Sequence, residues 1–309
     1  MILAGENGVV QLEDGQMLLR RVLLILISAS IFPITSSAQG LDTAKIDQVL
    51  GRSGQKMGDV YRVGFPRTDL HVVVDGLAIK PGLALGSWAA FAGTDNSASV
   101  MGDLVLLESE LDPVMEKLRV SGFEITAVHN HLTGETPHVI YMHYMGHGPA
   151  TQLATSLQKA LAVSKTPLGK PAAGPVEPAS PPDWVKIVED TLGRKGNFKG
   201  GVLSYGVPRQ QALSMDGMDL VPAQGVAESI NFQEADTGRV ATTGDFVLTA
   251  GEVNPVISAL QQNHVRVTAL HSHMLTEEPR LFFMHFWAVG SPASVAEGIK
   301  AALSRVATK

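Results

Sequence analysis

Thr126-Ala127-Val128-His129-Asn130-His131 returns 142 residues later as Thr268-Ala269-Leu270-His271-Ser272-His273. The echo continues downstream at the same offset, through Pro137 and Pro279 to Met142-His143 and Met284-His285. Upstream, Leu50-Gly51-Arg52-x-Gly54 matches Leu192-Gly193-Arg194-x-Gly196, and Pro66-Arg67 matches Pro208-Arg209. Gly102-Asp103 matches Gly244-Asp245, Glu110 matches Glu252, and Pro113 matches Pro255. So many coincidences at one spacing mark an internal duplication, and hence two structurally similar halves.

A Pro-rich stretch at 165–182 separates the halves and reads as a semi-extended linker. Copy one therefore runs over 41–164 and copy two over 183–309. Each copy opens with a helix, 42–50 or 183–192, that has an aspartate near its start and a glycine after its last turn. β-like runs follow at 60–65, 70–74, 87–92 and 103–107. Asp112-Pro113 and Asn254-Pro255 read as N-cap plus first-turn proline, which starts helices at Pro113 and Pro255. Strands at 124–131 and 138–145 and a closing helix from about Ala150 or Ser294 complete the unit. Short strands interspersed with helices predict an α+β fold: two tandem copies of a mixed, mainly antiparallel sheet unit with flanking helices.

The bulk numbers narrow the partners. A net charge of −6 and an absence of basic runs argue against nucleic acid. The segment 1–38 reads as an upstream stretch plus a signal peptide: Arg20-Arg21, the apolar run Val22–Ile27, and the small-residue ending Ser36-Ser37-Ala38. Ser28, Ser30 and Pro33 interrupt the apolar segment, which is short for a bilayer span, so no stable membrane span is expected after cleavage. A periplasmic or secreted protein follows. The chain has no cysteine, so neither disulfides nor a lipid-modified cysteine are available, and a metal site must use His, Asp, Glu or Met.

Six of the ten histidines occupy the matched His-x-His-x11-His positions. Side chains alternate along a strand, so His129 and His131 share a face, and an antiparallel neighbour can bring His143 to them. Copy two repeats this with His271, His273 and His285. Three imidazoles from two strands suit a zinc ion with one open position, and three packed imidazoles without a metal would leave polar nitrogens needing partners. The expectation is one site per copy, with zinc first and copper, nickel or iron using overlapping ligands. A catalytic or ligand-binding histidine cluster and a structural one are the alternatives.

In a hydrolytic version, Glu135 and Glu277, each four residues after the second histidine, shuttle protons. Arg67 and Arg209 read as turn-anchoring ion pairs, Asp103 and Asp245 as turn or strand-start residues, and Met142 and Met284 as core. Met145 and His147 would allow a copper-type site in copy one. No Gly-x-Ser-x-Gly or Walker-type motif occurs, which keeps open a non-enzymatic envelope protein binding a small ligand or partner.

The block from Ala269 through His271-Ser272-His273-Met274, Glu277-Glu278-Pro279 and Phe282-Phe283-Met284-His285-Phe286-Trp287 resembles the signature of the LppY/LpqO-type family of bacterial exported proteins. The likeness extends through both copies. It implies export and the repeat, and it names no reaction.

Overall fold

The structure, a computed structural model, describes residues 40–170 and 180–309. The signal segment and the centre of the Pro-rich linker lie outside these residues. Copy one runs α1 Thr43–Leu50, β1 Gln55–Met57, β2 Val60–Pro66, β3 Val73–Val74, β4 Leu77–Ala78, α2 Pro81–Ala84, β5 Gly86–Gly93, β6 Ala98–Leu107, α3 Glu108–Val120, β7 Glu124–His129, β8 Glu135–Thr136, β9 Val139–Gly148 and α4 Ala150–Leu161. Copy two repeats it as α5 Asp183–Leu192, β10 Asn197–Lys199, β11 Val202–Pro208, β12 Leu213–Met215, β13 Met218–Leu220, a 3-10 turn Pro222–Gln224, β14 Ala227–Asp236, β15 Arg239–Leu248, α6 Ala250–Gln262, β16 Arg266–His271, β17 Glu277–Glu278, β18 Phe282–Gly290 and α7 Pro292–Leu303.

The main sheets have the same antiparallel order, β1-β2-β5-β6-β9-β7 and β10-β11-β14-β15-β18-β16. Alternation assigns their faces. On β9, Met142 and Tyr144 enter a core with Leu118 of α3 and Leu157 of α4. On β18, Met284 and Phe286 do the same with Val256 of α6 and Ile299 of α7. The opposite faces meet each other. Val105 and Tyr141 pack with Ala241 and Trp287 in one cluster, and Met101 and Met145 pack with Val247 and Phe283 in another. The result is four layers, helices outside and two sheets facing inside, with the histidine-bearing faces turned toward each other.

Each copy also reaches across to the other. Helix α2 packs on β14 and β15, and the Pro222–Gln224 turn packs on β2. Lys80 N–H donates to Gln233 Oε1 at 2.7 Å and Gln233 Nε2 donates to Ala78 O at 3.0 Å, so the first of these arms is held by hydrogen bonds as well as contact.

The helices expected from Pro113 and Pro255 begin earlier, at Glu108 and Ala250, and contain those prolines. Glu110 and Glu252, third in their helices, accept from the backbone N–H of Leu107 and Thr249 at 2.9 and 2.7 Å, and this cap sets the start. The opening helices end as expected, on Gly51 and Gly193 with φ of 70° and 69°.

Candidate metal centre

Strand β7 pairs with β9, and β16 with β18, each with a register shift around a threonine, Thr126 or Thr268. A bulge re-aims the side chains that follow it. The consequence is that all six matched histidines meet in a single cluster between the sheets.

Distances between ring centres establish this. His129 stacks on His271 at 3.5 Å, His131 on His285 at 3.7 Å, and His143 on His273 at 3.7 Å. Within a copy the separations are longer, 5.0 Å from His129 to both His131 and His143, and 4.8 and 4.9 Å from His271 to His273 and His285. The expectation of one site per copy is therefore corrected to one shared centre. The sequence shows which residues lie on a strand face, but not that the two faces close on each other.

Candidate ligand atoms of His129, His131, His143 and His273 lie within 4.8 Å of one another, and so do those of His129, His271, His273 and His285. His129 and His273 belong to both groups. The Nε2 atoms of all six rings are buried without a hydrogen-bond partner among the described residues. Three Nδ1 atoms lie at 3.3, 3.4 and 2.9 Å from carbonyls: His129 from Asn130 O, His271 from Ser272 O, and His285 from Gly244 O. A proton held on Nδ1 by such a carbonyl leaves the Nε2 lone pair free, as a metal ligand requires. Thr268 Oγ1 donates to His131 O at 2.5 Å and Asn130 Nδ2 donates to Thr268 O at 3.2 Å, tying the two His-x-His segments together.

Burial pushes every one of these imidazoles below its ordinary pKa, His129 to about 3 and His271 to about 4, and the neighbouring rings reinforce the effect on His129. Neutral imidazole is the ligating form. Two acids lie beside the cluster, outside its ligand groups. Asp103 lies opposite His143 in the β6–β9 pairing and Asp245 opposite His285 in the β15–β18 pairing. Asp103 oxygens are 3.9 Å from His131 Nε2 and 3.8 Å from His143 Nε2. Asp245 oxygens are 3.9 Å from His273 Nε2 and 3.8 Å from His285 Nδ1. Burial raises Asp103 to about 8 and raises Asp245 well above the usual carboxylate range. Each keeps a buried Oδ1 without a hydrogen-bond partner among the described residues.

The reading of these aspartates as turn or strand-start residues is corrected: Asp103 stands inside β6 and Asp245 inside β15. Their position in the middle of an apolar strand, Val100–Leu106 in copy one, was the available signal. The residues singled out as proton shuttles lie elsewhere. Glu135 Oε1 is 2.7 Å from His138 Nδ1 and accepts from Val139 N–H at 3.4 Å, and Glu277 Oε1 accepts from Leu281 N–H at 2.9 Å. Neither carboxylate belongs to the ligand groups, because each is turned back to brace its own loop. Met145 joins the inter-sheet core and His147 is exposed, so they do not form a second site together with the cluster.

Arg67 and Arg209 are buried braces, as their ion-pair reading implies. Arg67 bonds Glu110 at 2.7 and 3.2 Å and Asp69 at 2.9 Å, and Arg209 bonds Glu252 at 2.8 and 3.1 Å.

A cleft of ≈ 500 Å³ leads to the cluster, lined by residues of both copies including His131, His143, His273, His285, Asp103 and Asp245. Fold and site together define a duplicated α+β protein with a histidine-rich centre at its internal interface. The chain belongs to the family described as Domain of Unknown Function (DUF1259), whose model matches twice, at 44–163 and 186–305, once on each copy. The comparison with curated proteins finds no match. Among solved structures, the trimeric bacterial microcompartment shell protein PduB is 11% identical, with 82% of this chain and 89% of that chain covered and a TM-score of 0.20. EtuB from Clostridium kluyveri is 10% identical, with 82% and 88% covered and a TM-score of 0.19. At those TM-scores neither likeness carries an argument.

Proposed function

We propose that the protein binds a divalent transition metal, zinc first, at the shared centre, and that it acts in the cell envelope as a metal-dependent hydrolase. The observation that carries the metal reading is the convergence of six neutral imidazoles whose Nε2 atoms have no partner among the described residues. Burying that many unpaired nitrogens is costly unless something accepts their lone pairs. An all-nitrogen donor set with nearby carboxyls and no thiolate suits zinc, copper or nickel. The export reading rests on the segment ending at Ala38 and on the resemblance to LppY/LpqO-type proteins. Among the described residues no helix is long and apolar enough to cross a membrane.

A bound zinc ion would supply Lewis acidity and ease the ionisation of water. The chain's own contribution is to hold the imidazoles neutral, fix their orientation through the Nδ1 carbonyl contacts, and offer Asp103 and Asp245 as groups that take up or release a proton at Oδ1. This gives the aspartates the role first assigned to Glu135 and Glu277. The test is elemental analysis of chelator-stripped, zinc-reloaded and dialysed protein, followed by assays on ester, phosphate and peptide substrates. Stoichiometric zinc with turnover of one class supports the proposal. Zinc without turnover leaves a metal-binding envelope protein, and no retained metal contradicts the metal reading.

A further inference from the structure

The two walls of the cleft differ. Pairing registers align Arg62 with Ser204, Trp88 with Ser229, Ala90 with Asn231 and Met101 with Thr243. Copy one thus presents a guanidinium lying over an indole, 3.9 Å from its ring centre, where copy two presents small uncharged polar groups. Among the described residues the Arg62 side chain makes one hydrogen bond, from Nη1 to Ala223 O at 2.8 Å. No carboxylate lies within ion-pair distance of it among the described residues, whereas Arg67 and Arg209 are each met by two. Opposite, the side chains of Ser229, Asn231 and Thr243 line the same cleft and make no side-chain hydrogen bond among the described residues. A cavity of ≈ 500 Å³ suits a small molecule.

We infer that the cleft takes a small molecule carrying a carboxylate or phosphate group, with Arg62 as the anchor for its negative charge and the Ser229, Asn231 and Thr243 wall bonding its neutral polar groups. Arginine stacked on an aromatic face is pre-organised, and its free N–H donors match the planar or tetrahedral oxygens of such groups. The inference rests on the metal reading for the chemistry that follows binding, but the anchor itself is a property of this chain.

The test is calorimetric titration of zinc-loaded protein with inorganic phosphate and, separately, with acetate, alongside the zinc content of every sample. Saturable binding of one probe is expected, weakened roughly tenfold or more in Arg62→Gln and partly restored in Arg62→Lys, which keeps the charge. Which probe binds distinguishes a phosphate-bearing ligand from a carboxylate-bearing one. Equal affinity in Arg62→Gln at unchanged zinc content, or no binding of either probe by zinc-replete protein, overturns the inference. Loss of zinc from the unsubstituted protein would instead count against the metal reading.

Discussion

Copies one and two hold their histidines and aspartates at matched positions, yet they solve the surrounding problems differently. In copy one the backbone N–H of Val105 is met by the Ser87 hydroxyl at 2.8 Å; in copy two the equivalent Val247 N–H is met by a carboxylate, Glu228, at 2.7 Å. Arg67 takes Asp69 from its own loop as second acid, while Arg209 has Glu228, 3.7 Å away on a strand. His131 stacks on Tyr141 where His273 stacks on Phe283. Scaffolding has drifted between the copies, while the groups that converge on the centre are the same in both. That contrast is what a shared site requires, since each copy supplies half of it.

The largest expected effect separates the two braces. Removing one partner of a buried ion pair costs about 3–5 kcal/mol, and Arg67→Ala should reach that range because it strands Glu110 and Asp69. Arg209→Ala should cost less. One of the acids it leaves, Glu228, is already pushed up to about 8 by burial and can stay neutral. Urea unfolding of the two variants measures the difference, and equal losses would show that the braces are equivalent after all.

A second difference appears as a pH profile of metal-free protein. The six imidazoles stay neutral in the fold below their ordinary pKa of 6.5, so the unfolded chain binds more protons there and stability falls on acidification. Asp103, Asp245 and Glu228 run the opposite way. Their raised values keep protons on the folded chain, so the contribution of Asp103 and Glu228 is lost as pH rises toward about 8, and burial shifts Asp245 in the same direction. Six groups outweigh three on the acid side, and only the three acids act above 6.5, which predicts a stability maximum near neutral pH. Melting curves from pH 5 to 9 should show it, and Glu228→Ser, giving copy two the residue type of copy one, should flatten the alkaline side. Stability still rising at pH 9 would contradict this assignment.

Much of the molecule was readable from the chain itself. The duplication, the antiparallel units, the histidine positions and the glycine stops all follow from local pattern, because strand alternation and helix ends are set by neighbouring residues. The shared centre was not readable, since it depends on how two separately folded faces meet. Glu135 and Glu277 stand outside the ligand groups for a related reason. A carboxylate close in sequence to a ligand can as easily satisfy the N–H groups of its own loop, whereas Asp103 and Asp245 reach the centre from a different strand. The smallest expected effect follows from this. Glu135→Gln and Glu277→Gln should lower stability by about 1–2 kcal/mol through weakened loop hydrogen bonds, with zinc content unchanged. Loss of zinc in either variant would return these residues to the site.

The zinc content per chain of His273→Ala, after reloading and dialysis, decides whether both copies share one centre. His273 comes from copy two but lies in both ligand groups. With one shared centre, this single substitution reduces retained zinc to background and abolishes the zinc-induced rise in melting temperature, which is worth ~2.7 kcal/mol at a hundredfold excess over Kd in the unsubstituted protein. Retention of half the original zinc, with His129, His131 and His143 still holding an ion of their own, would contradict it and establish two independent sites.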